Sequence, residues 1–364
     1  MGLTATPNPQ SAAANGGIVS RLQSARLVAA VAEAWVVRQP AGIGMCMVRI
    51  FGVLLAIFIF QASAYAAEKI RIGFPDLAVS FVSLPLGEKR GHFREEGLQA
   101  EFIRINPTVA LAALVSGEMD YYTVLAPAVD AAIRGLPIKV VACYMPTSPT
   151  ALIVRPEFKS VQELRGKTIG LNILGGALEV TAKLIFKHFG LDPDREIKFL
   201  ANGPLESRFA AVRQGLTAGT LGSPPTDFLG KKMGFVVLAR ANELFSYPVS
   251  GIVASTKKIR ERPDEIKRVI KAAIKANRYI LQNRDGTISI MAEWLKVDKE
   301  IAVATYESSL KVFNEDGGLP ENGLRLLIDE AKKQAKVERE ISPGEVADLS
   351  ILRETQKELG IKGK

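Results

Sequence analysis

One βα unit is written twice in this chain, and that repeat constrains the fold more than any single motif. The first copy runs Ile70-Arg71-Ile72-Gly73, His92-Phe93, Gly97-Leu98, Pro107, Gly117, Pro127 and Val140-Val141-Ala142. The second runs Lys167-Thr168-Ile169-Gly170, His188-Phe189, Gly190-Leu191, Pro204, Gly215, Pro224-Pro225 and Val236-Val237-Leu238. The offset of about 97 residues is too long for a solenoid repeat and fits duplicated half-domains. Two similar lobes facing each other leave a cleft, and such clefts bind ligands.

Within each copy, short apolar runs alternate with helical patterns. Pro107 opens a helix and Gly117 follows it, with Leu111, Leu114 and Val115 at helical spacing. Pro204 and Gly215 bracket its counterpart, with Leu205, Phe209 and Val212 on one face. Strands Ile70–Phe74, Glu101–Ile105, Asp120–Leu125 and Ile138–Ala142 recur as Thr168–Leu171 and Glu196–Leu200 onward, which implies an α/β fold with a parallel sheet in each lobe. Thr150–Val154 and Gly251–Ala254 read as strands crossing between the lobes. Residues 67–150 are then the first part of lobe one, 151–250 lobe two, and 251–364 a return to lobe one with a helical tail. In that tail Ile266, Val269, Ile270, Ala273 and Ile274 form one stripe.

Residues 1–66 read as a leader. Ile50–Phe60 is an apolar run of signal-peptide length after Arg49, and Ala64 and Ala66 place a cut between Ala66 and Ala67. The run is shorter than the roughly 20 residues a spanning helix needs. The stretch before it is long for a signal peptide, which points to a translation start at Met45 or Met47.

The net charge is +9, and residues 1–66 contribute four Arg against one Glu, leaving +6 for the rest. That charge is spread along helices, so no nucleic-acid partner is expected. Cys143 is the lone Cys after the leader and reads as a small buried hydrophobe. With His92 and His188 the only histidines, neither a metal site nor a cofactor is expected. Each His precedes a Phe at a helix end, which favours a repeated packing role over catalysis. Asp120, at the start of a strand, reads as a structural carboxylate, and Asp227 and Glu206 as helix-start acids.

Ligands of open parallel sheets sit beyond the carboxyl ends of the strands. That selects the loops Pro75–Ser83, Thr123–Pro127, Asn172–Ala177 and Gly222–Pro225. Gly175, Gly176 and Ala177 open a helix whose free N–H groups suit an anion, with Ser80 and Thr123 reaching across from lobe one. Asn172, Ser223 and Ser250 are further candidates. Ser80 and Ser83 are open to a second reading, as caps of the helix behind them.

Several segments carry a family resemblance: Gly91-His92-Phe93-Arg94-Glu95-Glu96-Gly97-Leu98, Ser116-Gly117-Glu118-Met119-Asp120, Gly135-Leu136-Pro137-Ile138-Lys139-Val140-Val141, Leu164-Arg165-Gly166-Lys167-Thr168-Ile169-Gly170 and Arg262-Pro263-Asp264-Glu265-Ile266. Across about Glu68 to Asn314 the chain resembles the substrate-binding proteins of ABC importers for nitrate, sulfonate and taurine, whose relatives bind thiamine pyrimidine precursors. The resemblance implies a type II periplasmic-binding-protein fold: two βα lobes, two crossover strands and a helical C-terminal tail. It departs at Ala218, where the family usually has an Asp, which weakens ligand assignments resting on that strand. It implies a periplasmic, non-enzymatic monomer that traps a small anionic or polar organic ligand and delivers it to an ABC permease. Two rivals share the fold. One is an enzyme of the menaquinone-pathway or pyrimidine-synthase type, for which the chain lacks the Cys-rich motif of the latter and a credible acid–base pair. The other is a ligand-binding sensory module for a membrane kinase.

Overall fold

A computed structural model describes residues 67–174 and 176–361. In the first lobe β1 (Glu68–Phe74) leads through a one-turn 3-10 segment to α1 (Ser83–Lys89) and α2 (His92–Glu95), then β2 (Leu98–Arg104), α3 (Pro107–Ser116), β3 (Tyr121–Val124), α4 (Leu125–Ile133) and β4 (Ile138–Met145). The second lobe contains β5 (Ala151–Val154), β6 (Thr168–Leu171), α5 (Ala177–His188), β7 (Lys198–Ala201), α6 (Leu205–Arg213), β8 (Gly219–Gly222), α7 (Thr226–Lys232), β9 (Val236–Arg240) and α8 (Ala241–Leu244). The chain then supplies β10 (Ser250–Ser255) to the first lobe. The tail follows as α9 (Thr256–Glu261), α10 (Pro263–Gln282), α11 (Arg284–Leu295), α12 (Lys299–Ser309), α13 (Glu321–Ala335), α14 (Pro343–Val346) and α15 (Ser350–Glu358).

Local chemistry explains the boundaries. At α3, Asn106 Oδ1 accepts from the Thr108 N–H at 3.0 Å, Pro107 fixes the first helical φ, and Gly117 ends the helix at φ +83°. His188 closes α5, whereas the left-handed Gly91 (φ +83°) restarts the chain so that His92 opens α2. The two histidines are therefore not equivalent, contrary to the sequence expectation.

The two sheets share one plan, which is the repeat made visible. Strand order is β2-β1-β3-β10-β4 in the first and β7-β6-β8-β5-β9 in the second. The sheets are mixed, not parallel as expected: β10 runs antiparallel to β3 and β4, and β5 antiparallel to β8 and β9. The reason is directional. Each of these strands enters its lobe from the carboxyl edge of the sheet, so it must run back down. Both are buried on two faces, with Ile252 and Ala254 packed on one side of the first sheet and Val253 on the other.

Because β5 and β10 are hydrogen-bonded on both sides, the connections between lobes are the preceding segments, residues 146–150 and 245–249. This corrects the sequence expectation that the chain turns between lobes at Ala151–Val154 and Gly251–Ala254. The predicted stripe of α10 is fully buried against α1, α2 and α15, and each of its Ile and Val side chains contributes roughly 1.5–3 kcal/mol. The tail also touches the second lobe, where Lys232 on α7 meets Glu300 on α12 at 2.7 Å. No helix among the described residues is long and apolar enough to cross a membrane.

Candidate functional site

The carboxyl ends of both sheets meet the two connecting segments. Val249 N–H donates to the Met145 carbonyl at 3.0 Å, and Leu125 N–H donates to the Val249 carbonyl at 3.1 Å. Thr147 Oγ1 donates to the Phe245 carbonyl at 3.0 Å and Ser246 Oγ to the Pro146 carbonyl at 2.8 Å, which ties one connection to the other. These bonds gather the ends of β3, β4 and β10 at one edge of the first lobe.

On that edge Ser250 pairs with Val124 and Met145, which puts it beside Thr123. Thr123 Oγ1 donates to the Gly73 carbonyl at 2.9 Å, so its proton is committed to the backbone and its lone pairs remain. Tyr144 brings its hydroxyl toward Ser250 and Thr123, and burial pushes it well above its ordinary pKa. Neither the Tyr144 hydroxyl nor Ser250 Oγ completes a well-aligned hydrogen bond. Tyr122 also carries an unpartnered buried hydroxyl, raised by burial and by the nearby Asp76 carboxylate. Asp76 itself is raised by burial, against the opposing pull of Arg104. Sequence reasoning missed these three. The tyrosines lie in apolar runs, and Asp76 lies in the loop after β1 with nothing nearby in sequence to mark it.

Ser80 is buried in the 3-10 turn Val79–Phe81, and Ser83 is buried at the first position of α1. Neither caps α1, whose cap position is Val82 without a side-chain bond, and Ser83 Oγ has no partner. The capping alternative for these two serines is therefore removed.

In the second lobe Ser223 Oγ lies 3.1 Å from Thr150 Oγ1, which accepts from Ser148 Oγ at 2.9 Å. This hydroxyl chain fastens the end of β8 to residues 146–150. After β6, Asn172 is exposed beside exposed Ile173 and Leu174. Gly175 lies outside the described residues. Gly176 is the cap residue of α5 at φ −90°, with no side chain to satisfy the helix N–H groups, and Ala177 follows exposed. Glu179 in that first turn pairs with Lys183 at 2.9 Å, so a carboxylate already complements the helix end. The contacts join Thr123, Ser250 and Tyr144 into one group and Ser223, Thr150 and Ser148 into another.

Asp120 and Asp227 have structural partners, and Glu206 stands exposed in the first turn of α6. Asp120 accepts from the Arg71 N–H at 2.7 Å and from Lys258 Nζ at 2.6 Å. Asp227 pairs with Arg240 at 2.7 Å. Among the described residues no three His, Cys, Asp or Glu side chains are grouped to hold a metal ion. Hydroxyls, amides and backbone N–H groups at such an edge orient a small molecule by hydrogen bonding.

The family model described as NMT1/THI5 like matches residues 79–286, more than half of the chain. A protein named as a binding protein in Brucella abortus (strain 2308) is 24% identical over 219 residues, covering 59% of this chain and 67% of that protein. The periplasmic sulfonate-binding protein SsuA of Methylobacillus flagellatus KT superposes with a TM-score of 0.67 at 16% identity, over 81% of this chain and 96% of SsuA. The periplasmic nitrate-binding protein NrtA of Synechocystis PCC 6803 gives 0.62 at 13% identity, over 81% and 89%. The fold is thus that of periplasmic binding proteins, and by its sequence the chain belongs to the NMT1/THI5-like family.

Proposed function

We propose that the protein is the secreted solute-binding component of an ABC importer. It holds a small anionic or polar organic molecule between its lobes and passes it, as a monomer, to a membrane permease. The observation that carries this reading is the convergence of both sheets' carboxyl ends on the two connecting segments, since ligands of open α/β sheets sit beyond those ends. Family membership and the binding-protein relative support it. Lobe one comprises residues 67–145 and 250–364 and lobe two residues 151–244, and the lobes turn as rigid bodies about residues 146–150 and 245–249. The liganded, closed form is the one the permease selects. Residues 1–66 serve as the leader, cut after Ala66, and N-terminal sequencing of the exported protein checks the cut.

A thermal-shift screen with small acids, sulfonates and pyrimidines tests the function. A ligand present at 100 times its Kd adds about 2.7 kcal/mol of stability. Stabilisation by none of these classes refutes the reading and favours the enzyme or the sensory module. Scattering with the bound compound should show a smaller radius of gyration; an unchanged radius excludes closure. The ligand contacts are Ser80, Thr123, Asn172, Gly175, Gly176, Ala177, Ser223 and Ser250. Gly176→Asp sets a carboxylate at the helix end; the tight contact of its Cβ is with the side chain of exposed Ile173, 2.9 Å away, and the Ile173 carbonyl oxygen lies at an ordinary 3.8 Å. Calorimetry should show about ten-fold weaker binding or more, and unchanged affinity moves the ligand elsewhere.

A further inference from the structure

Three charged side chains are buried among the described residues: Arg208 at 7% exposure, Asp227 at 1% and Glu265 at 3%. Two of them have counter-charges. Asp227 pairs with Arg240 at 2.7 Å, and Glu265 pairs with Lys258 at 2.6 Å and Arg262 at 3.1 Å. Arg208 is met only by neutral groups. Its Nη1 donates to Thr220 Oγ1 at 3.2 Å and to the Leu221 carbonyl oxygen, and its Nε has no partner. Burial lowers the guanidinium's affinity for its proton, with only exposed Glu206 opposing. A buried charge without a partner is costly, so buried charges are as a rule paired.

The position of Arg208 shows where the partner belongs. Thr220 and Leu221 precede Gly222 at the carboxyl end of β8, and Thr220 Oγ1 donates to the Gly170 carbonyl of β6 at 2.8 Å. Asn202, just past β7, donates its N–H to the Leu171 carbonyl at 2.8 Å, while its Oδ1 is buried without a partner beside Gly170. Arg208 therefore lies under the carboxyl ends of β6, β7 and β8. The segments at the ends of both sheets (75–83, 123–127, 146–150, 172–177, 222–225 and 245–249) contain no Lys, Arg or His, and Asp76 is their one acid. Arg104 and Arg240, at the carboxyl ends of β2 and β9, are already engaged, the first with the Pro75 carbonyl at 3.3 Å and the second with Asp227 at 2.7 Å, so the counter-charge left for a ligand anion held here is Arg208, below the loops.

We infer that Arg208 is the counter-ion for an organic anion, a carboxylate or sulfonate whose oxygens accept from the guanidinium edge that the protein leaves unused. Nη1 is committed to Thr220 and Leu221, which fixes the plane of the fork, and the Nε–Nη2 edge is the one suited to two parallel bonds. Asn202 supplies the adjacent polar contact. This assignment rests on the solute-binding reading and narrows its ligand class.

The test compares wild type, Arg208→Gln, Arg208→Lys and the control Arg213→Gln, the last on an exposed residue of the same helix. The probes are butanesulfonate, benzoate and nitrate as anions and cytosine as a neutral heterocycle, measured by thermal shift and calorimetry with circular dichroism as the check on folding. At least one organic anion should stabilise wild type. Arg208→Gln should bind it ten-fold or more weakly, Arg208→Lys should fall between because it keeps the charge without the fork, and Arg213→Gln should match wild type. If Arg208→Gln does not fold, the Arg208 Nε resonance of the wild-type protein, identified by its loss in Arg208→Lys, must shift when the anion is added. Equal binding by Arg208→Gln, an unmoved Nε resonance, or stabilisation by cytosine alone overturns the Arg208 assignment and leaves the solute-binding reading standing. Stabilisation by none of the four probes counts against the solute-binding reading itself, and the assignment falls with it.

Discussion

Replacing Gly251 by Ala should weaken the first lobe sharply, and the reason is geometric. Gly251 pairs with Cys143 across the β10–β4 junction, where the strand register shifts on either side. A Cβ there would run into the Ala142 carbonyl oxygen and stand 2.9 Å from Leu125 Cδ2 and 3.1 Å from Cys143 Cα. The first and third of these atoms are backbone, so no side chain can rotate away. Nor can β10 retreat, because it is bonded to β3 on its other side. An added methyl in a packed core costs roughly 1–3 kcal/mol when side chains can yield. Here the upper end applies, about 3 kcal/mol, and at roughly 2–4 °C per kcal/mol the melting temperature should drop by about 6–12 °C. Trp294 is a local reporter. It is the one Trp among the described residues, its ring lies 5.2 Å from Phe74, and its Nε1 donates to the Ala78 carbonyl at 3.3 Å. Gly344→Ala, where a Cβ meets nothing within 4 Å, is the control and should change stability by no more than about 0.5 kcal/mol. If Gly251→Ala melts within about 2 °C of wild type by Trp294 fluorescence, the strand packing described above is wrong.

Glu265→Ala removes the acceptor shared by the Tyr121 hydroxyl and Lys258 Nζ, both at 2.6 Å, and should cost about 3–5 kcal/mol by thermal or urea unfolding. Exposed Asp264→Ala should be nearly silent, and equal effects from the two would refute a buried role for Glu265. The Glu358 carboxyl is held down to about 2 by hydrogen bonds from Lys267 and Lys271, and Lys183 lowers Asp194 in the same way. Carboxylates lowered by folding stabilise the folded form above their ordinary range and lose that contribution as pH falls, so the melting temperature should decline from about pH 4.5 toward pH 2; a flat profile across that window contradicts these pairings. Burial pushes the Cys143 thiol up, and its Sγ sits 3.4 Å from the Ser250 carbonyl, so peptide-mapped alkylation should be slow in the native protein and fast in urea. Rapid native labelling would place the thiol outside the core.

The lobes were legible because their signals are local. Pro107 and Gly117 state where α3 begins and ends whatever surrounds them, and the spacing of Ile266, Val269, Ile270, Ala273 and Ile274 states which face of α10 is buried. Strand direction was not legible. Ala151–Val154 and Ser250–Ser255 are apolar runs that read alike in either sense, and their antiparallel placement depends on which edge the chain arrives from. At the strand ends, serines and glycines stood out because loops after strands are few. Tyr144 and Arg208 did not. A tyrosine in an apolar strand reads as core, and Arg208 looks like Arg213 on the same helix until the sheet beneath it is known.

The place of β10 sets an order on how the chain acquires its shape. The second lobe's sheet is drawn from one uninterrupted stretch, residues 151–240, and can complete itself as soon as that stretch is available. The first lobe cannot. Its β3 and β4 are not neighbours; each pairs with β10, which is synthesised about a hundred residues after β4. Until Ser250–Ser255 arrives, β3 and β4 present unfilled edges, and the faces later covered by α10 and α13 stay bare. All strands of the second lobe's sheet precede residue 241, whereas the first lobe's sheet lacks its central strand until residue 255, so an incomplete copy ending before residue 250 would present open, apolar strand edges to its neighbours.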